Sequence, residues 1–357
     1  MCDGIFPGIV GHVRGESAVA GTSPYSPRGN TKRGTVAPRS KAVFIRSREH
    51  GLPYSKGVMS QSLTAAGLVP ERAYAIASLI ESRLKKEAAG ELTVSELHEY
   101  ATEVLRQEEG DEPAQRFRRW TVLRRKDIPI IMLIGGTTGS GKSTVASQVA
   151  HRFGITRITS TDLIRQVMRA FFSPALMPVL HHSSFDVPVS GLMLPGDDHD
   201  LGLLGFIEQA RQVSVGAQAI FERAERERMS TLIEGVHLVP GLVQHLDITR
   251  CAVVEVMVYI DDEETHRSHF AMRSLQTDGG RPVDHYLRNF QRIRQIQDYL
   301  VAQAERRGVP VLENTFMDDS VRRLMDYTFD IIERVAAEQE RAAFPSEVTE
   351  SSSLPSV

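Results

Sequence analysis

The chain has 357 residues, 41% hydrophobic and 24% charged, with a formal net charge of −3, enough for one large or two smaller folded domains. Without a strong basic excess, non-specific nucleic-acid binding is excluded as its main business, and any basic surface must be local. Cys2 and Cys251 cannot make a disulfide framework, no apolar run approaches the roughly 20 residues that span a bilayer, and Asp3 with Gly4 and Pro7 replaces the basic start of a signal peptide, so a cytoplasmic protein without nucleic-acid or membrane partners is expected.

In chain order, residues 1–40 are rich in Gly, Ser, Thr and Pro without periodicity and read as a disordered tail. Residues 41–112 read as a small, mainly helical unit. Val43-Phe44-Ile45 is its one clear strand, and helices are expected at Ser60 to Ala66, Pro70 to Lys86 and Thr93 to Gln107, the second placing Ala73, Ile76, Ala77, Ile80 and Leu84 on one face. Thr93-Val94-Ser95-Glu96 has the spacing of a capping box. An Arg-rich connector, 113–127, leads to a second domain at 128–340, and 341–357 reads as another disordered tail.

From Ile128 apolar strands alternate with helical patterns, the signature of an α/β fold with a parallel sheet flanked by helices. Strands are expected at Ile128 to Ile134, Arg157 to Thr159, Thr231 to Glu234, Val253 to Ile260 and Val309 to Leu312. Helices fall at Ser143 to His151, Leu163 to Phe172, Gly205 to Arg228, Thr265 to Leu275, Val283 to Arg307 and Ser320 to Ala337. Gly136-Thr137-Thr138-Gly139-Ser140-Gly141-Lys142-Ser143, after the first strand, is a complete Walker A motif in its strand–loop–helix context. Its glycines let backbone N–H groups turn onto phosphate oxygens, with Thr144 in the first turn of the helix that follows. Lys142, the one lysine after Lys126, supplies a slim point charge where an arginine fork would fit poorly. Ser143 offers a hydroxyl to Mg²⁺. A nucleoside triphosphate is therefore the expected ligand.

Asp162, opening the helix after the second strand, is the candidate general base or acceptor anchor, a role compatible with helix capping. Arg165, with Arg169 one turn on, can meet an anionic substrate. Glu234 ends the strand Leu232-Ile233-Glu234 beside the phosphate loop and reads as a Walker B-like metal position. His181, His182, Ser183 and Ser184 read as a polar substrate wall, and no third ligand at short spacing supports zinc there. Arg267, His269 and Arg273, with Arg281 beyond, read as a cationic lid for a transferring phosphoryl group.

These motifs in this order resemble the archaeal-type 2-phosphoglycerate kinase family. The resemblance rests on Pro53-Tyr54-Ser55-Lys56-Gly57, the phosphate loop, the segments Thr161 to Arg169, His181 to Phe185 and Ile233 to Gly241, and the stretch from Asp298-Tyr299-Leu300 through Val309 to Asn314, within a span of about Ala42 to Val335. It implies ATP-dependent phosphorylation of 2-phosphoglycerate on its 3-hydroxyl, with Mg²⁺, giving 2,3-bisphosphoglycerate and ADP. Adenine over guanine is likewise implied. The N-terminal unit resembles a shortened ATP-cone, which would place Arg46, Gly51 and Lys56 near its ligand. Another phosphorylated metabolite or sugar as acceptor, or a nucleotide-sensing switch without acceptor turnover, remains an alternative, and an oligomer is compatible with the sequence.

Overall fold

The computed structural model describes residues 44–47, 50–87, 91–187, 198–244, 250–276 and 283–343. Both expected tails lie outside this range apart from the residues at 341–343, which continue the last helix.

The N-terminal unit begins with strands β1 (Phe44–Ser47) and β2 (His50–Pro53), then α1 (Lys56–Ala65), α2 (Pro70–Lys86), β3 (Glu91–Thr93), α3 (Val94–Glu109) and α4 (Asp111–Arg124). Where one strand was expected there are three, in the order β2-β1-β3, antiparallel on one side and parallel on the other. β2 and β3, at four and three residues, are too short to display a period of two, so only pairing with β1 reveals them. The α1 helix starts earlier than Ser60 because Ser55 Oγ accepts the Val58 N–H. At α3 the capping box forms as its spacing predicts: the Thr93 hydroxyl accepts from Glu96 N, and the Glu96 carboxylate accepts from Thr93 N. The apolar stripe of α2 is buried against Leu63, Leu105 and Phe117.

The stretch read as a connector is mostly α4. Its arginines hide an apolar stripe three residues apart, Ala114, Phe117, Trp120 and Leu123, all buried. Trp120 packs edge-on against Phe153, with ring centroids 5.3 Å apart.

The large sheet comprises β4 (Ile130–Gly136), β5 (Ile158–Ser160), β6 (Thr231–Gly235), β7 (Ala252–Tyr259) and β8 (Val311–Glu313) in the order β5-β6-β4-β7-β8, every neighbouring pair parallel. Its crossovers carry α5 (Lys142–Phe153), α6 (Thr161–Phe171), α7 (Asp198–Arg226), α8 (Glu263–Gln276), α9 (Val283–Arg288) and α10 (Phe290–Arg307), and α11 (Met317–Ala343) follows β8. β4 and β6 are buried at every position, as central parallel strands must be. Their register sets Ile134 opposite Glu234 and Gly135 opposite Gly235, so the phosphate loop and Glu234 emerge side by side at the carboxyl edge. The single helix expected over 283–307 is two, broken at Asn289, whose side-chain amide bonds the His285 carbonyl and competes with helix propagation. Among the described residues, no helix is long and apolar enough to cross a membrane.

Candidate active site

The phosphate loop has its carbonyl oxygens tied down one after another. Thr137 O accepts from the Ser140 hydroxyl (3.0 Å) and Lys142 Nζ (3.3 Å), Thr138 O from His266 Nε2 (2.9 Å), Gly139 O from His269 Nδ1 (2.9 Å) and Ser140 O from the Asn314 amide (2.9 Å). Since a carbonyl can only accept, His266 carries its proton on Nε2 and His269 on Nδ1. Burial holds His266 at a pKa of about 4, so its ring is neutral. Gly139 and Gly141 lie in the left-handed region (φ 87° and 79°), and a Cβ on Gly139 would come within 2.7 Å of the Phe270 ring and 2.9 Å of His266 Nε2. With the carbonyls engaged from outside, the N–H groups at the start of α5 are left to face an anion.

Ser143, in the first turn of α5, donates from Oγ to Glu234 Oε2 at 3.0 Å, and Glu234 is only 8% exposed. The pair presents hard oxygen donors beside Lys142, a donor set that suits Mg²⁺ completed by water and phosphate oxygens. No cluster of three or more His, Cys, Asp or Glu side chains that could hold a metal occurs among the described residues.

A cleft of about 630 Å³ opens from this loop. It brings together Thr138, Lys142, Ser143, Glu234, Asp162, Arg165, Ser183 and Ser184, eight of the expected site residues. Ser160 caps α6 by accepting the Leu163 N–H at 3.1 Å, which leaves Asp162 in the first turn with its carboxylate largely exposed. Arg165 reaches back to that carboxylate at 3.6 Å and donates from Nη1 to the carbonyls of Leu180 and His182, both at 3.0 Å. Arg165 thus holds the 178–186 loop as well as lining the cleft.

A buried chain reinforces the same loop: Thr161 Oγ1 donates to His237 Nδ1 (2.8 Å), His237 Nε2 donates to Gln209 Oε1 (3.0 Å), and the Gln209 amide donates to the carbonyls of Val179 and His182. His237 is fully buried and burial pushes its pKa down to about 4, which matches a neutral ring that accepts at one nitrogen and donates at the other.

No family model matches the chain. Curated relatives named 2-phosphoglycerate kinase do. That of Methanopyrus kandleri is 37% identical over 81% of this chain and 88% of its own length, that of Methanothermobacter thermautotrophicus 38% identical over 80% and 94%, and that of Thermococcus kodakarensis 36% identical over 78% and 93%. The chain belongs to the 2-phosphoglycerate kinase family. It is accordingly a phosphotransferase. Among solved structures, shikimate kinase from Acinetobacter baumannii overlaps 64% of this chain and 99% of its own at a TM-score of 0.32 and 13% identity.

In this member of the 2-phosphoglycerate kinase family several expected site residues lie away from the cleft. His181 is turned to the Phe172 carbonyl (2.9 Å), and His182 contributes its main-chain carbonyl to Arg165 and Gln209; neither lines the cleft. Arg169 bonds Gln166. Arg267 stacks on Phe290, 3.8 Å above the ring, and pairs with Glu263 at 2.9 Å, so reaching a substrate requires release from both. The side chain of Arg273, and Arg281 altogether, fall outside the described residues, as does the side chain of Arg46, whose backbone pairs with that of Gly51 across the β1–β2 hairpin. Lys56 pairs with Glu81 at 3.4 Å. Sequence reading gave no site role to several residues that also line the cleft, among them Gln166, Phe185, His285 and Tyr286. The last two sit in an expected helix that carried no motif, and Tyr286 is placed by stacking on Phe270, with centroids 5.1 Å apart.

Proposed function

We propose that the chain transfers the terminal phosphoryl group of ATP to the 3-hydroxyl of 2-phosphoglycerate, yielding 2,3-bisphosphoglycerate and ADP. The observation that carries this reading is the cleft that Lys142, Ser143 and Glu234 line together with Asp162, Arg165, Ser183 and Ser184. The loop N–H groups and Lys142 bind the triphosphate, and Ser143 with Glu234 would hold Mg²⁺, which when bound neutralises charge on the phosphate oxygens. Asp162 accepts the proton of the acceptor hydroxyl as the new O–P bond forms and the bond to the ADP oxygen breaks. Arg165, Ser183 and Ser184 bind the anionic end of the acceptor, and His285 lines the same cleft. Arg267 and Arg273 are assigned to the transferred group, on the condition that Arg267 leaves Phe290.

The test is ADP release with Mg²⁺-ATP and a panel of phosphorylated acids and sugars headed by 2-phosphoglycerate, with Lys142→Ala as the blank. Stimulation by 2-phosphoglycerate alone is the expected result. ATP binding with no stimulation by any acceptor would overturn it in favour of a nucleotide-sensing switch.

A further inference from the structure

A second cavity, of about 220 Å³, lies where α1 and α4 meet the C-terminal end of α5. α5 begins at Lys142, and ten residues of helix, about 15 Å, separate that end from Arg152, so this space is distinct from the phosphate loop. Trp120, 7% exposed, and Arg152 both line it, and Trp120 Nε1 and Arg152 Nε are buried without any hydrogen-bond partner. Both atoms are obligate donors. Arg152 also has no carboxylate within ion-pair distance among the described residues; burial is the main influence lowering its pKa, and Asp318 draws it only from longer range. Arg124 and Asp127 are the other charged groups lining the cavity, so its balance is one positive charge. Most of the remaining wall, including Ala65, Leu123, Ile130 and Phe153, is apolar.

Buried donors are ordinarily satisfied, and Arg152, half-buried as a residue, carries its charge with no close carboxylate among the described residues. Water can accept from both N–H groups but brings no counter-charge to the half-buried guanidinium, whereas an oxyanion supplies several lone pairs and the opposite charge. We propose that this cavity binds a small oxyanion of the phosphate class, held by the Trp120 indole N–H and the Arg152 guanidinium at the joint between the helical unit and the kinase core.

Trp120 is the single tryptophan of the chain, so its emission reports on this cavity directly. The full-length protein is titrated with sodium phosphate against sodium chloride of matched ionic strength, as wild type, Lys142→Ala and Lys142→Ala/Arg152→Gln. A saturable emission change is expected in the first two and a binding constant weakened about ten-fold or more in the third, the loss of a charge-assisted hydrogen bond. Lys142→Ala/Trp120→Phe keeps an aromatic ring but lacks the donor, and its phosphate-induced rise in melting temperature should be smaller than that of Lys142→Ala alone. No saturable change in the wild type, a change abolished by Lys142→Ala, or equal titrations with and without Arg152 would each overturn the site. Should the Arg152 variant fail to fold, an undiminished melting shift in the Trp120 variant would overturn it. None of these outcomes depends on which acceptor the kinase uses.

Discussion

The side of the cleft proposed to hold phosphate comes mainly from one run of chain, joined by Glu234 of β6, whereas the side proposed to hold the acceptor is collected from α6, the 178–186 loop and α9. On the first wall, left-handed glycines and tied carbonyls define the geometry, so the proposed phosphate binding rests on backbone shape and one ammonium group. On the second, side chains reach across elements, and the wall holds only while Arg165 and the Thr161–His237–Gln209 chain keep the loop in place. The first wall is defended by the steric limits on its glycines and by ties to its carbonyls, the second by buried hydrogen bonds that hold a loop, and the two should fail in different ways.

Lys142→Ala offers the largest expected effect, a fall in kcat of roughly 10³-fold in the ADP-release assay, since it removes a preorganised cation from the charge that develops on the transferred group. Turnover within a few-fold of wild type would detach the phosphate wall from the chemistry. Asp162→Asn should lower kcat by roughly 10²-fold while calorimetric ATP affinity stays unchanged, which separates the walls; intact turnover would remove Asp162 from the base role. Gly139→Ala must place its Cβ against Phe270 and His266 at a positive φ, and strain of about 1–3 kcal/mol predicts ATP affinity weakened roughly ten-fold or more with acceptor KM unaltered. An acceptor KM that moved equally would show that the walls are not independent.

The smallest effect tests the collected wall. His237→Asn should raise acceptor KM about five-fold, the worth of about one hydrogen bond, and leave ATP KM alone. It should also alter the pH dependence of stability. Burial holds His237 and His266 at about 4 against an ordinary value of 6.5, so between those values the unfolded chain binds more protons. Stability is therefore complete above about pH 6.5 and declines as pH falls toward 4. Melting temperatures across that window should fall less steeply for His237→Asn than for wild type, and parallel curves would mean that His237 is already charged in the fold.

The Walker A motif, Glu234 at a strand end, the capping box and the alternation of strands with helices were legible because each depends on spacing within one short segment. The sheet order β5-β6-β4-β7-β8 was not, and neither were β2 and β3, whose few residues become strands only beside β1. α4 was obscured because its arginines dominate the composition while its apolar stripe is narrow. The histidines show the same division. His181 and His182 stand out as a polar pair yet serve the loop's own structure, while His266 and His269 hold the phosphate loop from α8, and His237 becomes a relay only because Thr161 and Gln209 arrive from other elements.

What the residues determined by themselves was the phosphate-loop motif, because the glycines, the lysine and the helix start lie in eight consecutive residues, while the ties from His266, His269 and Asn314 came with the fold. What tertiary structure alone decided was which side chains share the acceptor wall and which donors are left unpaired beside Trp120 and Arg152. Burial and hydrogen-bond satisfaction are properties of neighbours distant in the chain, and no local spacing encodes them.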